Sequence, residues 1–176
     1  MIKRVCIVGA ESTGKTTLAV ALAKYYHTCW VPEYGRTYTK GRIYTKGHDY
    51  WETWEFVHIA QMQNSFEDAL AKVSNRVLIC DTDAFATAIW HEKYVGTISE
   101  DVRKLYKNRN YDLYILTDLA TPFTQDEIRV GEDSRQWMHE RFVTELKREE
   151  KKYIIVVGDE DKRLKQSVDV INRLLD

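Results

Sequence analysis

Apolar residues along the chain gather into four short runs, Val5 to Val8, Val77 to Cys80, Leu113 to Leu116 and Tyr153 to Val157, with a weaker fifth at Cys29 to Val31. Uninterrupted runs of this length, rich in β-branched residues, predict strands buried on both faces. Between most of them the period lengthens to that of a helix. Leu18, Ala21, Leu22 and Tyr25 recur at i, i+3, i+4, i+7, and Leu164, Val168, Ile171 and Leu175 repeat the pattern near the end. Ile59, Met62, Phe66 and Val73 outline a further core stripe. Strands alternating with amphipathic helices predict a mainly parallel α/β sheet with helices on both faces and ligands at the carboxyl ends of the strands. We expect five parallel strands in the order 2-3-1-4-5, with Val5 to Val8 at the centre.

The segment after the first strand sharpens this picture. Gly9-Ala10-Glu11-Ser12-Thr13-Gly14-Lys15-Thr16 fits G-x-x-x-x-G-K-[ST], follows a strand and opens a helix, the context that a phosphate-binding P-loop requires. Such a loop predicts ATP and Mg²⁺ as cofactors. Gly9, Gly14, Glu11, Ser12, Thr13 and Thr17 would wrap the phosphates, Lys15 would reach the β and γ oxygens from an exposed position on the loop, and the Thr16 hydroxyl would ligate Mg²⁺.

Other candidates stand at predicted strand ends. Asp81 closes the third run, where a carboxylate reaches the metal shell, and Asp83 follows; either suits metal or substrate, and Asp83 or Thr82 could also cap the helix from Phe85 to Tyr94. Glu33, Tyr34 and Arg36 follow the weak strand. There a carboxylate can accept or hold the proton of an attacking hydroxyl while a guanidinium offsets phosphate charge. Arg129 and Arg135 flank the longest helix-free stretch and resemble the cations of a lid. Asp159 and Arg163, after the last strand, are expected beside the adenine. Trp51, Trp54, Trp90, Tyr38, Tyr44 and Tyr94 concentrate aromatic surface that can sandwich a flat base, although most aromatics at helical spacing are core. Thr45-Lys46-Gly47-His48 fits a nucleotidyltransferase T-x-G-H pattern, but the residues before it lack strand character.

Composition narrows the partners. The 176 residues carry a formal net charge of −1, so there is no electrostatic footprint for nucleic acid, and the expected partner is a small-molecule nucleoside. Three scattered cysteines, Cys6, Cys29 and Cys80, have neither disulfide-framework nor metal-ligand spacing. No apolar stretch approaches the ~18 residues of a membrane span. We expect a single domain over 1–176, with no membrane partner and a cytoplasmic location; the oligomeric state is not readable.

Val8 through Leu18, Pro32-Glu33-Tyr34-Gly35-Arg36, Asp81-Thr82-Asp83, and Trp90 with Tyr94-Val95-Gly96 together resemble the kinase domain of NadR-type proteins, a nicotinamide riboside kinase. The resemblance covers nearly the whole chain. It implies a thymidylate-kinase-like fold, Glu33 and the aspartates near the ribose, Trp90 and Tyr94 near the substrate, and nicotinamide mononucleotide as product. NadR-type proteins also carry a DNA-binding segment and an adenylyltransferase domain ahead of the kinase. This chain begins at the kinase strand, so repression and NAD assembly are not expected of it. A deoxynucleoside or nucleoside-monophosphate kinase, or a nucleotide-sensing ATPase, uses the same scaffold. A GTPase switch would need N-K-x-D, which Asn108 to Asp112 does not supply.

Overall fold

The computed structural model describes residues 2–47, 50–119 and 133–176. Its sheet contains β1 (Lys3–Val8), β2 (Trp30–Val31), β3 (Val77–Asp81), β4 (Leu113–Thr117) and β5 (Tyr153–Val156), all parallel and ordered β2-β3-β1-β4-β5. The order matches the expectation, and β1 is central. Its side chains alternate between two cores, as a pleated strand dictates. Cys6 and Val8 enter one core and Val5 and Ile7 the other, all at 0% exposure.

The Val5–Ile7 face is covered by α1 (Lys15–Tyr25) and α7 (Glu160–Leu175). The Cys6–Val8 face lies under α3 (Thr53–Ala71), α4 (Ala84–Val95), α5 (Glu100–Lys107) and α6 (Asp133–Arg148). The α7 stripe is as predicted, with Val168 and Ile171 buried. On α1 it is displaced by one residue: Tyr25 is 52% exposed, whereas Tyr26 packs on the core and its hydroxyl donates to Asn172 Oδ1 at 2.9 Å.

Three further expectations change. Arg135, expected in a helix-free stretch, lies in the first turn of α6, which opens at Asp133, and is 5% exposed. Arg129 lies outside the described residues. The polar segment after Glu33, for which no element was predicted, forms α2 (Tyr34–Lys46), and Thr45 and Lys46 of the T-x-G-H match end that helix.

The third change concerns α3. Phe66 is 37% and Val73 72% exposed, and the buried face is Glu55, Phe56, Ile59, Ala60, Gln63 and Glu67. A helix that buries three such polar side chains must supply each with partners. Glu55 accepts from Arg42 Nε at 2.8 Å and Tyr38 at 3.1 Å, and closes a capping box with the Glu52 amide. Glu67 accepts from the Tyr111 hydroxyl at 2.7 Å and pairs with Arg4 and Arg109 at 3.3 Å. Burial nevertheless pushes the Glu67 carboxyl up to about 7.

The displaced α1 stripe is testable by denaturant unfolding. Leu22→Ala should cost about 2–5 kcal/mol, the usual range for a fully buried leucine, whereas Tyr25→Ala should change stability by less than about 0.5 kcal/mol. A large loss at Tyr25 would show that α1 is rotated from the arrangement described.

Candidate functional site

β1 ends beneath a loop that only glycine can begin. Gly9 has φ 148°, and a Cβ there would lie 2.3 Å from Thr117 Oγ1 at the end of β4, closer than nonbonded atoms approach. The loop then folds on itself. Thr13 Oγ1 donates to the Ala10 carbonyl at 2.8 Å and lies 2.6 Å from Thr117 Oγ1. Arg163 of α7 braces it from behind, donating to the Thr13 carbonyl at 2.6 Å and pairing with Asp118. Gly14, at φ 80°, delivers the chain into α1. The Lys15 side chain is not exposed as expected. It is 9% exposed and folds back over the loop so that Nζ donates to the Ala10 carbonyl at 2.7 Å.

The loop floors a cleft lined by Glu11 to Thr17, by Glu33, Gly35, Arg36 and Thr39 near the start of α2, and by Trp51. Phe56, Ile59 and Gln63 of α3, Thr82, and Thr87, Trp90 and Tyr94 of α4 complete it. One end is therefore rich in backbone amides and hydroxyls and the other in aromatic carbon. Trp90 and Tyr94 stack at 6.0 Å with planes 17° apart, and Trp51 sits 5.4 Å from Tyr94. The back of Trp51 is covered by the Arg42 guanidinium at 4.0 Å from the ring centre, and Arg42 is held by Glu55. Burial in this wall raises the Tyr94 hydroxyl to about 12 and lowers the Lys93 ammonium, whose Nζ lies 4.8 Å from the Trp90 ring centre.

Glu11 and Glu33 line the cleft, and Asp81 adjoins its polar end through Thr16. Asp81 Oδ2 accepts from Thr16 Oγ1 at 2.5 Å, while Asp81 Oδ1 is buried with no hydrogen-bond partner. Glu33 is the N-cap of α2, yet its side chain makes no capping bond. Burial pushes the Glu33 carboxyl up to about 7, with the Asp81 charge adding to the rise and Lys15 and Arg36 opposing it. Burial likewise raises Asp81, against the pull of Lys15 and the Thr16 hydroxyl.

The remaining predicted site residues divide. Arg36, Trp90 and Tyr94 line the cleft with the loop. Asp83 does not: it is fully buried, Oδ1 capping α4 through the Ala86 amide at 2.8 Å and Oδ2 accepting from Tyr114 at 2.7 Å. The residue between the two aspartates explains the parting. Thr82 has φ 65°, an outlier for a β-branched residue, and this breaks the alternation that would have kept both acids on one side. Tyr34 turns away to His58 Nε2 at 3.0 Å. Asp159 caps α7 at the surface through the Lys162 amide, and Arg163 serves the back of the loop and not the cleft. Sequence reasoning missed Gln63, Thr39, Thr87 and the Thr117–Asp118 brace. A lone glutamine on an apolar helical stripe was the one signal available for the first of these.

The fold recurs in known proteins. The trifunctional NAD biosynthesis/regulator protein NadR of Escherichia coli (strain K12) is 28% identical over 181 residues, covering 99% of this chain and 43% of the relative. The chain thus spans less than half the length of that relative. Among solved structures, a NadR protein in complex with NR superposes with a TM-score of 0.78 at 23% identity, over 98% of this chain and 51% of that one. Deoxyadenosine kinase from M. mycoides, with dCMP and dCDP bound, follows at 0.69 and 13% identity, over 97% and 99%. The family described as AAA domain matches residues 4–163, from the first turns of β1 to the arginine that braces the loop, and the chain belongs to that family.

Proposed function

We propose that the chain is an ATP-dependent kinase that transfers the γ-phosphoryl group to the 5′-hydroxyl of nicotinamide riboside, giving nicotinamide mononucleotide. The observation that carries this reading is a second carboxylate, Glu33, in the same cleft as the phosphate loop, between that loop and an aromatic wall. A nucleotide-hydrolysing switch has no use for an aromatic-walled acceptor compartment. The relatives support the choice of acceptor, one being named for NAD biosynthesis and another holding NR, nicotinamide riboside.

In this reading the loop amides and the α1 N-terminus bind the phosphates, and Lys15 leaves the Ala10 carbonyl to neutralise charge that develops in transfer. The residues fit Mg²⁺: a hydroxyl and a carboxylate stand side by side, and Asp81 keeps one buried oxygen without a partner. Thr16 and Asp81 would hold the ion, which supplies charge neutralisation, with water and phosphate oxygens as its other ligands. Among the described residues no cluster of three acidic, histidine or cysteine side chains forms a full protein cage. Glu33 aligns the acceptor hydroxyl and takes its proton, Arg36 offsets phosphate charge, and Trp51, Trp90 and Tyr94 hold the base. Asp83 acts indirectly, fixing α4 and hence two of those rings. The described residues contain no helix long and apolar enough to cross a membrane, and we place the enzyme in the cytoplasm.

The acceptor assignment is checked by supplying ATP-Mg²⁺ with nicotinamide riboside, deoxynucleosides and nucleoside monophosphates and measuring ADP. Faster turnover of any deoxynucleoside than of nicotinamide riboside would sink it. Lys15→Ala should abolish transfer to any acceptor with the fold retained, since one preorganised charge is worth about 10²-fold or more; wild-type turnover would remove the kinase reading.

Glu33→Gln should lower kcat by about 10²-fold, the usual worth of an acid–base group, with ATP affinity nearly unchanged. The base is the ionised form, so wild-type kcat should climb as pH rises through about 7, and the variant should lose that limb. Stability runs the other way. With the folded carboxyl raised from 4.5 to about 7, stability is full below the lower value and is lost as pH rises through the upper one. Thermal melts should therefore find Glu33→Gln more stable than wild type at pH ~8 and equal to it near pH ~4; a less stable variant at the higher pH would contradict the burial of this charge.

A further inference from the structure

Gln63 is 1% exposed and lies one helical turn beyond Ile59, on the stripe of α3 that faces the cleft. Both ends of its amide are engaged. Oε1 accepts from the Tyr34 N–H at 2.9 Å, and Nε2 donates to the Thr82 carbonyl at 3.3 Å. These partners are sequence neighbours of Glu33, which lines the cleft, and of Asp81, which accepts from Thr16 beside it. Tyr34 follows Glu33 at the first position of α2, and Thr82 follows Asp81 at the end of β3.

The residue type is dictated by its partners, because an N–H needs an acceptor and a carbonyl needs a donor, and a primary amide offers both in one group. Glutamate would set a negative charge against the Thr82 carbonyl, and an apolar chain of the same length would leave two buried backbone groups unsatisfied. The segment it holds has only a short strand behind it and is otherwise tied to α3, through the Tyr34 hydroxyl on His58 Nε2 at 3.0 Å and the Tyr38 hydroxyl on Glu55 at 3.1 Å. β2 pairs with β3 over only Trp30 and Val31 before Pro32 and Glu33 leave the sheet. The Glu33 side chain makes no capping bond, and Gln63 satisfies the first amide of α2 directly after it.

We propose that Gln63 is a positioning residue for phosphoryl transfer, a two-ended clamp that sets the separation between Glu33 at the start of α2 and Asp81 at the end of β3. This rests on the reading of Glu33 as the acceptor-side carboxylate. The clamp touches neither the phosphate loop nor the reacting atoms. It acts by holding the acceptor-side group in line with the phosphate side, where a shift of about 1 Å can cost up to 10²-fold in rate.

Gln63→Met keeps the length and removes both hydrogen bonds. Steady-state kinetics with nicotinamide riboside and ATP-Mg²⁺ should show kcat reduced about tenfold to a hundredfold, with KM for ATP within about threefold because the loop is untouched. In a Glu33→Gln background the same substitution should lower kcat by less than about threefold further, since the two act through one group. Hydrogen exchange at the Tyr34 amide should accelerate about tenfold or more, with β1 and α1 unchanged. Wild-type kcat in Gln63→Met, or an equal loss in both backgrounds, would overturn the proposal. Should Gln63→Met fail to fold, Gln63→Asn, one methylene too short to span both partners, is expected to give the same pattern. Full kcat in Glu33→Gln, or no transfer to nicotinamide riboside by the wild-type chain, would defeat the functional reading instead. Exchange at Tyr34 then decides the clamp: acceleration confined to that amide supports it, and unchanged exchange removes it.

Discussion

The arrangement of the cleft depends on how closely the turn after β1 approaches the end of β4. At Gly9 the two chains leave no room for a single additional carbon, because Thr117 offers both its hydroxyl and, at 3.1 Å from the hypothetical Cβ, its carbonyl. Shortening Thr117 would remove the first contact and leave the second, as well as a φ that side chains rarely adopt. Only a side-chain-free residue allows the loop to lie flat on the sheet, and only from there can Thr13 reach Thr117 and Arg163 reach the Thr13 carbonyl. The brace from α7 thus belongs to the phosphate loop although it lies 150 residues away.

The parts of this structure legible in the sequence are those where one requirement dominates. A strand buried on both faces must be apolar throughout, so β1, β3 and β4 could be read directly, β5 was found by its apolar run although Ile155 is 41% exposed, and the central place of β1 followed from the phosphate loop it feeds. The phosphate loop was legible because its spacing and its strand–turn–helix context agree. Where two requirements compete, the reading failed. α2 contains Gly35 and Gly41 and buries Arg42 as its only strongly buried side chain, so it shows no apolar period. α3 must both cover the sheet and supply polar groups, and its true face, which includes Glu55, Gln63 and Glu67, does not score as a stripe. The register of α1 was ambiguous because adjacent tyrosines offered two equally apolar continuations.

The acid pair shows the same limit at the level of a site. Asp81 and Asp83 are equivalent as residue types at a strand end, and only the left-handed Thr82 between them decides that one meets Thr16 of the loop and the other Tyr114 in the core. That backbone angle has no sequence signature, since threonine is among the residues least suited to it. Likewise Glu33 stands at an ordinary helix-cap position and differs from a cap only in making no side-chain bond to its own helix, which the residue type does not announce.

The anchoring of Asp83 by Tyr114 bears on how the cleft meets its ligands. α4 carries Thr87, Trp90 and Tyr94 on one face, and its N-terminus is tied to a central strand through a carboxylate with no exposure to water. Rotating or fraying that end would part a buried carboxyl from the buried phenol that satisfies it, so the aromatic wall is tied to the interior of the sheet and not only to the surface it borders.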